Sequence, residues 1–288
     1  MTLLRRHLAG VLVLGIPLAW IVIFMLVPYA IIGTYSFWTK TYPTFQPDFQ
    51  FGNYATLFTD PQYLQVLLRT LKISALVSVA SLALAYPFAY WLVFRCRSAG
   101  VRTWLYMAVI APLWVSYLLR AYIWKTILGT EGILNSFLMW AGFTDAPSDI
   151  FLYNQFAMIL TLTYIFIPFM VMPIYTALER IPPNLAEASA DLGQTPWQTF
   201  RKVTLPLSTP GIAAGFTLTF CLSFGDFIAP FLVGGPDGNL IAGVIQTQFG
   251  SALNWPLGSA LSIVMLVIVL SIVSLSDRLE RSSRIGAH

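Results

Sequence analysis

Asp226 is the acidic side chain with the strongest claim on chemistry. It closes the apolar stretch Val203–Gly225 and stands between Phe224 and Phe227, with Gly225 beside it. A carboxylate at membrane depth is costly and marks a functional site by default. Such a group can receive a cation, and aromatic faces nearby add cation–π attraction. The other reading is a hydrated, structural acid just outside the bilayer, and the residues alone leave both open. The second concentration of reactive side chains is the loop Glu179–Lys202, where Glu179, Arg180, Glu187, Asp191, Arg201 and Lys202 gather.

Several chemistries lack their residues. Histidine occurs only as His7 and His288, at the two ends. Cys96 and Cys221 lie far apart in apolar surroundings with no CxxC, and read as small buried hydrophobes rather than as a disulfide or zinc framework. The four lysines, Lys40, Lys72, Lys125 and Lys202, never follow a glycine, so the phosphate-cradling loop G-x4-G-K-[ST] is missing. The apolar stretches hold no carboxylate pair. An intramembrane hydrolase and an ATPase are thereby excluded for this chain, and any energy must come from a partner.

These side chains must be positioned by membrane helices. Of 288 residues, 57% are apolar and 10% charged, and mean hydropathy is +0.74. Soluble domains carry about 25% charged residues. An aromatic content of 15% excludes a disordered chain. The net charge of +4 is small for a nucleic-acid binder. A spanning helix needs about 20 apolar residues. Six stretches between flanking charges qualify, near residues 12–33, 73–94, 103–119, 156–175, 203–225 and 257–276. The first follows a basic start but is too long for a cleavable signal peptide, so it reads as an uncleaved anchor.

With both termini placed in the cytoplasm, the inner segments sum to +6 and the outer ones to −2, as the positive-inside rule requires. Arg69 and Lys72 sit on the outer side before the second span, where an interfacial helix at Tyr63–Lys72 would let them snorkel. The outer loops Lys40–Lys72 and Arg120–Asp149 are long enough for short capping helices. Gly234-Gly235-Pro236 reads as a turn in the last outer loop. The chain reads as one membrane domain, residues 1–288.

The loop 179–202 then falls on the cytoplasmic face. Asn184 and Glu187 have the spacing of a capping pair, so a helix is expected over Leu185–Leu192. Gly193 stands where a left-handed terminator belongs. Thr195-Pro196-Trp197-Gln198 restarts a helix, with Thr as cap, Pro first and Gln three after the cap. Ala186, Ala188, Ser189 and Ala190 make the first helix narrow enough for close approach by a partner.

The spacing Glu-Ala-Ser-x3-Gly-x9-Val-x-Leu-Pro, from Glu187 to Pro206, resembles the EAA motif of ABC-importer permeases. Ser189 replaces the second alanine of that motif and Val203 its isoleucine. APLWVSYLLRAYIW (Ala111–Trp124), PFMVMPIYTALERI (Pro168–Ile181), GDFIAPFLVGGPDGNLIAG (Gly225–Gly243) and NWPLGSALS (Asn254–Ser262) are similar to the permease subunits of spermidine/putrescine importers. Asn254 stands where that family often has Asp.

The resemblance implies an all-α, six-span permease bundle of the type I ABC-importer class, in a bacterial inner membrane. It implies a second homologous permease, two cytoplasmic ATPase subunits that hold the ATP and magnesium, and an extracytoplasmic binding protein. No cofactor belongs to this chain. The loop 179–202 becomes the element that seats on the ATPase, through Glu187, Ala188, Ser189, Asp191, Gly193, Leu205 and Pro206. A polyamine path would draw on Asp226, Phe224, Phe227, Tyr90, Trp91, Tyr117, Tyr122 and Tyr164, although each aromatic also fits a core or interfacial role. The same machine could carry an opine, an aminophosphonate, sulfate or ferric iron. A secondary carrier acting alone is the remaining alternative.

Overall fold

The computed structural model describes residues 14–41 and 43–285, without the side chains of Pro183, Ala186, Asp237 and 279–285. Arg5, Arg6, His7 and His288, with the start of the first expected span, lie outside it. Among the described residues the regular structure is helical save for one small hairpin. In order it forms α1 (Leu14–Tyr35), β1 (Thr39–Thr41), β2 (Thr44–Gln46), α2 (Gly52–Thr59), α3 (Pro61–Phe94) and α4 (Ala99–Trp114). Then follow α5 (Tyr117–Leu128), α6 (Ile133–Trp140), α7 (Gln155–Glu179), α8 (Pro183–Asp191), α9 (Pro196–Phe224), α10 (Ile228–Val233), α11 (Ile241–Phe249) and α12 (Trp255–Ile285).

Five of these, α1, α3, α7, α9 and α12, are each long and apolar enough to cross a membrane. The expected span at 103–119 is not one unbroken helix. The helix ends at Trp114, and α4 and the α5–α6 segment meet at 98°, so they count as a sixth span only as a broken pair. Pro112 tightens the last turn, and Val115 and Ser116 are extended, with ψ of 139° and 135°. The expected interfacial helix at Tyr63–Lys72 is likewise not separate. It is continuous with the second span in one helix of 34 residues, because no Gly or Pro stands between Pro61 and Pro87.

Among the described residues both wide turns of the main chain precede a proline. A π turn at Val22–Leu26 leads to Pro28, and another at Phe200–Thr204 leads to Pro206. Proline has no N–H and its ring crowds the carbonyl four residues back, and the wider turn carries that carbonyl aside.

By packing, the chain divides into two units. One comprises residues up to Leu64 together with Val244–Ile268. In it β1 and β2 pair antiparallel with Lys40 opposite Phe45. Asn53 Nδ2 donates to the carbonyls of Ser36 and Trp38, each at 2.9 Å, and Lys40 Nζ donates to Ala252 O at 2.7 Å.

The other unit, Gln65–Gly243 with the end of α12, holds both candidate sites. It has two cores. Ile73, Val77, Met158, Leu162, Ile165 and Val233 form one, and Ala85, Leu92, Met170, Ile174 and Leu178 the other, nearer α8. Helix α9 lies directly on α7. A Cβ at Gly211 would stand 2.5 Å from Ala177 Cβ and 2.6 Å from Pro173 O, so only glycine allows that approach. Cys96 and Cys221 are half-buried free thiols, less enclosed than expected.

Candidate functional site

The loop between α7 and α9 is a helical hairpin closed largely by its own residues. Helix α8 starts at Pro183, not after an Asn184 cap. Pro182 is extended and Pro183 occupies the first helical position, so the Asn184–Glu187 capping pair is not used. The helix stops as expected at Gly193, whose φ is +76°. Gly193 N–H donates to Ala190 O at 2.8 Å and Gln194 N–H to Ser189 O at 3.1 Å, the pair of bonds that ends a helix on a left-handed residue. The capping box at Thr195 and Gln198 is present in both directions, at 3.3 Å and 2.9 Å.

This geometry sorts the residues assigned to the loop. Glu187, Ala188 and Asp191 are exposed on α8, and Leu192 is 81% exposed at its end. Ser189 faces inward, with its Oγ 2.8 Å from Thr199 Oγ1, tying α8 to α9. Pro206 is exposed and Leu205 half-buried one turn up α9. Thr199, ten residues from Ser189, is a partner that the motif does not mark.

Beside the hairpin lies a small apolar cavity of about 370 Å³, lined by Tyr86, Pro87, Tyr90, Pro196, Trp197 and Phe200. Phe200 packs edge-on against Tyr86 and Tyr90, and Tyr86 Oη is 3.0 Å from Ser208 Oγ. Tyr90 is therefore a neighbour of the hairpin and not of Asp226. Trp91 is exposed on the next position of α3.

Asp226 is only 8% exposed, which removes the hydrated reading. Its Oδ1 accepts from Ile228 N–H at 2.8 Å, at the start of α10, and its Oδ2 accepts from the Tyr117 hydroxyl. The Tyr117 ring stacks on Phe166 at 6.3 Å between centroids. Over its face, at 5.7 Å, stands the guanidinium of Arg120. Arg120 is 7% exposed, donates through Nη1 to Ile165 O at 3.2 Å, and leaves Nε buried without a partner. The sequence places Arg120 among the charges of an outer loop; the structure instead buries it. The 3-residue spacing from Tyr117 is its one sequence signal, since it sets both on one helical face.

The other aromatics divide. Phe224 is fully buried and stacks on Phe220, whereas Phe227, next to Asp226, is 39% exposed. Tyr164 pairs with Trp124 at 5.3 Å, one position from the Arg120 acceptor Ile165, and Tyr122 is exposed. Asp226, Tyr117 and the unexpected Arg120 thus form one cluster, and Tyr90 and Trp91 lie outside it. The turn at Gly234-Gly235-Pro236 is formed, with Gly235 at φ +59°.

The chain matches the family model described as binding-protein-dependent transport system inner membrane component over residues 9–285. It is 40% identical over 252 residues to the spermidine/putrescine transport system permease protein PotB of Escherichia coli (strain K12), covering 87% of this chain and 90% of that one. It is 38% identical over 243 residues to the inner membrane ABC transporter permease protein YdcU of the same organism, covering 81% and 77%. A chain of a bacterial alginate ABC transporter, solved in complex with its alginate-loaded periplasmic protein, has the same fold at TM-score 0.80 and 22% identity, over 96% of each chain. The spans, the hairpin and these matches agree: the chain belongs to the binding-protein-dependent transport system inner membrane components.

Proposed function

We propose that this chain is a translocation subunit of an ATP-driven importer whose cargo is a polyamine of the putrescine or spermidine kind. The observation that carries the cargo is the Asp226 cluster in a chain 40% identical to a spermidine/putrescine permease. A buried carboxylate, with an aromatic ring whose hydroxyl it accepts, offers an ammonium group both ion pairing and a π face.

The hairpin 183–199 is the contact for a separate ATPase. Exposed Glu187, Ala188 and Asp191 form its outer surface, Gly193 shapes its turn, and Leu205 and Pro206 carry it into α9. ATP and magnesium belong to that partner, and the chain itself is not an enzyme. The assembly has a second homologous permease, two ATPase subunits and an extracytoplasmic binding protein. Both termini and the hairpin are cytoplasmic, which the charge balance of +6 inside and −2 outside supports.

Reconstitution tests this. Glu187→Lys should abolish stimulation of ATP hydrolysis by loaded binding protein, and unchanged stimulation would remove the hairpin from coupling. Asp226→Asn should weaken uptake of di- and trivalent amines; unchanged kinetics would remove Asp226 from the path. A second reading, an anionic cargo, is favoured by the unpartnered Nε of Arg120. It predicts instead that Arg120→Gln, and not Asp226→Asn, loses uptake.

A further inference from the structure

Arg120 has no place in the polyamine reading as stated, yet it shares Tyr117 with the carboxylate proposed to take the cargo. It sits 5.7 Å over the same ring whose hydroxyl Asp226 accepts. Its hold is incomplete: one Nη1 bond of 3.2 Å to Ile165 O, and a buried Nε with no partner. A guanidinium has five donors, and burying it with few of them satisfied is expensive. What offsets the cost here is the π face of Tyr117 and the negative charge behind its hydroxyl. Arginine and carboxylate thus meet the same tyrosine, one over its ring and the other at its hydroxyl.

Resting on the polyamine reading of Asp226, we propose that Arg120 is the resident counter-cation of this site, and that the ammonium group of the cargo displaces it. The cargo offers what Arg120 offers, a positive charge for Asp226 and for the ring of Tyr117. Two cations at one carboxylate and one ring repel, so binding of cargo requires Arg120 to leave. An empty site stays neutral and closed, and inorganic monovalent ions, which gain less from the ring and lack a second charge, do not displace the arginine. Arg120 thereby sets the threshold a cargo must exceed.

The test measures binding of radiolabelled putrescine to the assembled transporter in lipid nanodiscs, without binding protein. Arg120→Gln is expected to tighten binding by about tenfold by removing the competitor. Arg120→Lys, which keeps the charge, is expected to gain less, and Asp226→Asn to lose binding. If Arg120→Gln leaves affinity unchanged or lowers it while Asp226→Asn still loses it, the displacement idea is overturned and the cargo reading stands. If Asp226→Asn binds as wild type, the cargo reading fails and the displacement with it. A wild-type measurement keeps the test independent of variant assembly. Arg120 should resist labelling by phenylglyoxal without putrescine and become labelled with it, as read by peptide mass spectrometry. Equal labelling in both conditions overturns displacement.

Discussion

The hydrogen bonds that close the hairpin at 183–199 join residues ten positions apart or fewer, whereas the Asp226 cluster joins Tyr117 to Asp226 across 109 positions and Arg120 to Ile165 across 45. The hairpin also turns charge outward, with Glu187 and Asp191 exposed, while the cluster buries an acid and a base. The region proposed as the contact for another protein has a shape set by local bonds. The other exists only when three segments of the bundle come together, so its charges report the bundle's state. A surface made by local bonds survives rearrangement of the bundle; a cluster made by distant ones does not. That difference fits the two proposed roles, a contact surface that keeps its shape and a path that changes between two states.

Substitutions at four positions break or sharpen this contrast. The largest effect is expected at Gly193. A valine there puts a β-branched side chain at φ +76°, and stimulation of ATP hydrolysis by loaded binding protein should fall by more than about tenfold. Gly193→Asn, which tolerates that backbone region, should keep much of it; equal loss in both would mean that the turn's backbone is not what matters. At Asp226, the asparagine variant still accepts a hydrogen bond but carries no charge, and putrescine uptake into proteoliposomes should drop by about tenfold.

Tyr117→Phe keeps the ring and its stacking on Phe166 but removes the donor to Asp226. A hydrogen bond to a charged group contributes about 1.5–3 kcal/mol, so the unfolding midpoint in nanodiscs should fall measurably. No shift would show that the cluster holds nothing together. The smallest effect is expected for Ser189→Ala, which removes the tie to Thr199, a contribution of about 0.5–1.5 kcal/mol. It should loosen the hairpin and lower ATPase stimulation a fewfold without changing cargo affinity; changed affinity would mean that the two regions are less separate than their bonds suggest.

The same contrast explains what could be read beforehand. Gly193 and the Thr195–Gln198 box are legible because their chemistry is complete within a few residues. Asn184 misleads for a local reason too: two consecutive prolines set the backbone before a cap can act, and Pro183 takes the first helical position. The 103–119 stretch has the composition of a span, but composition does not register two extended residues at Val115 and Ser116. Arg69 and Lys72 suggest a boundary where helix propagation meets none. Arg120 is the instructive miss. Its charge places it outside in any tally by loops, and the groups that meet it in the fold, the Tyr117 ring and the Ile165 carbonyl 45 positions away, carry no charge that a tally could count.

The continuity of α9 has a mechanical consequence. Its 29 residues from Pro196 to Phe224 form a rod of about 43 Å, at about 1.5 Å per residue. One end is clamped by the capping box beside the hairpin, and the other stops two residues short of Asp226. A push at the first end arrives at the second through two places that can give way: the wide turn at Phe200–Thr204, where each carbonyl reaches one residue further than in the rest of the rod, and Pro210, which has no N–H to donate along the helix. The stiffness at those two places sets how much of a twist at the hairpin is absorbed before it reaches the buried carboxylate.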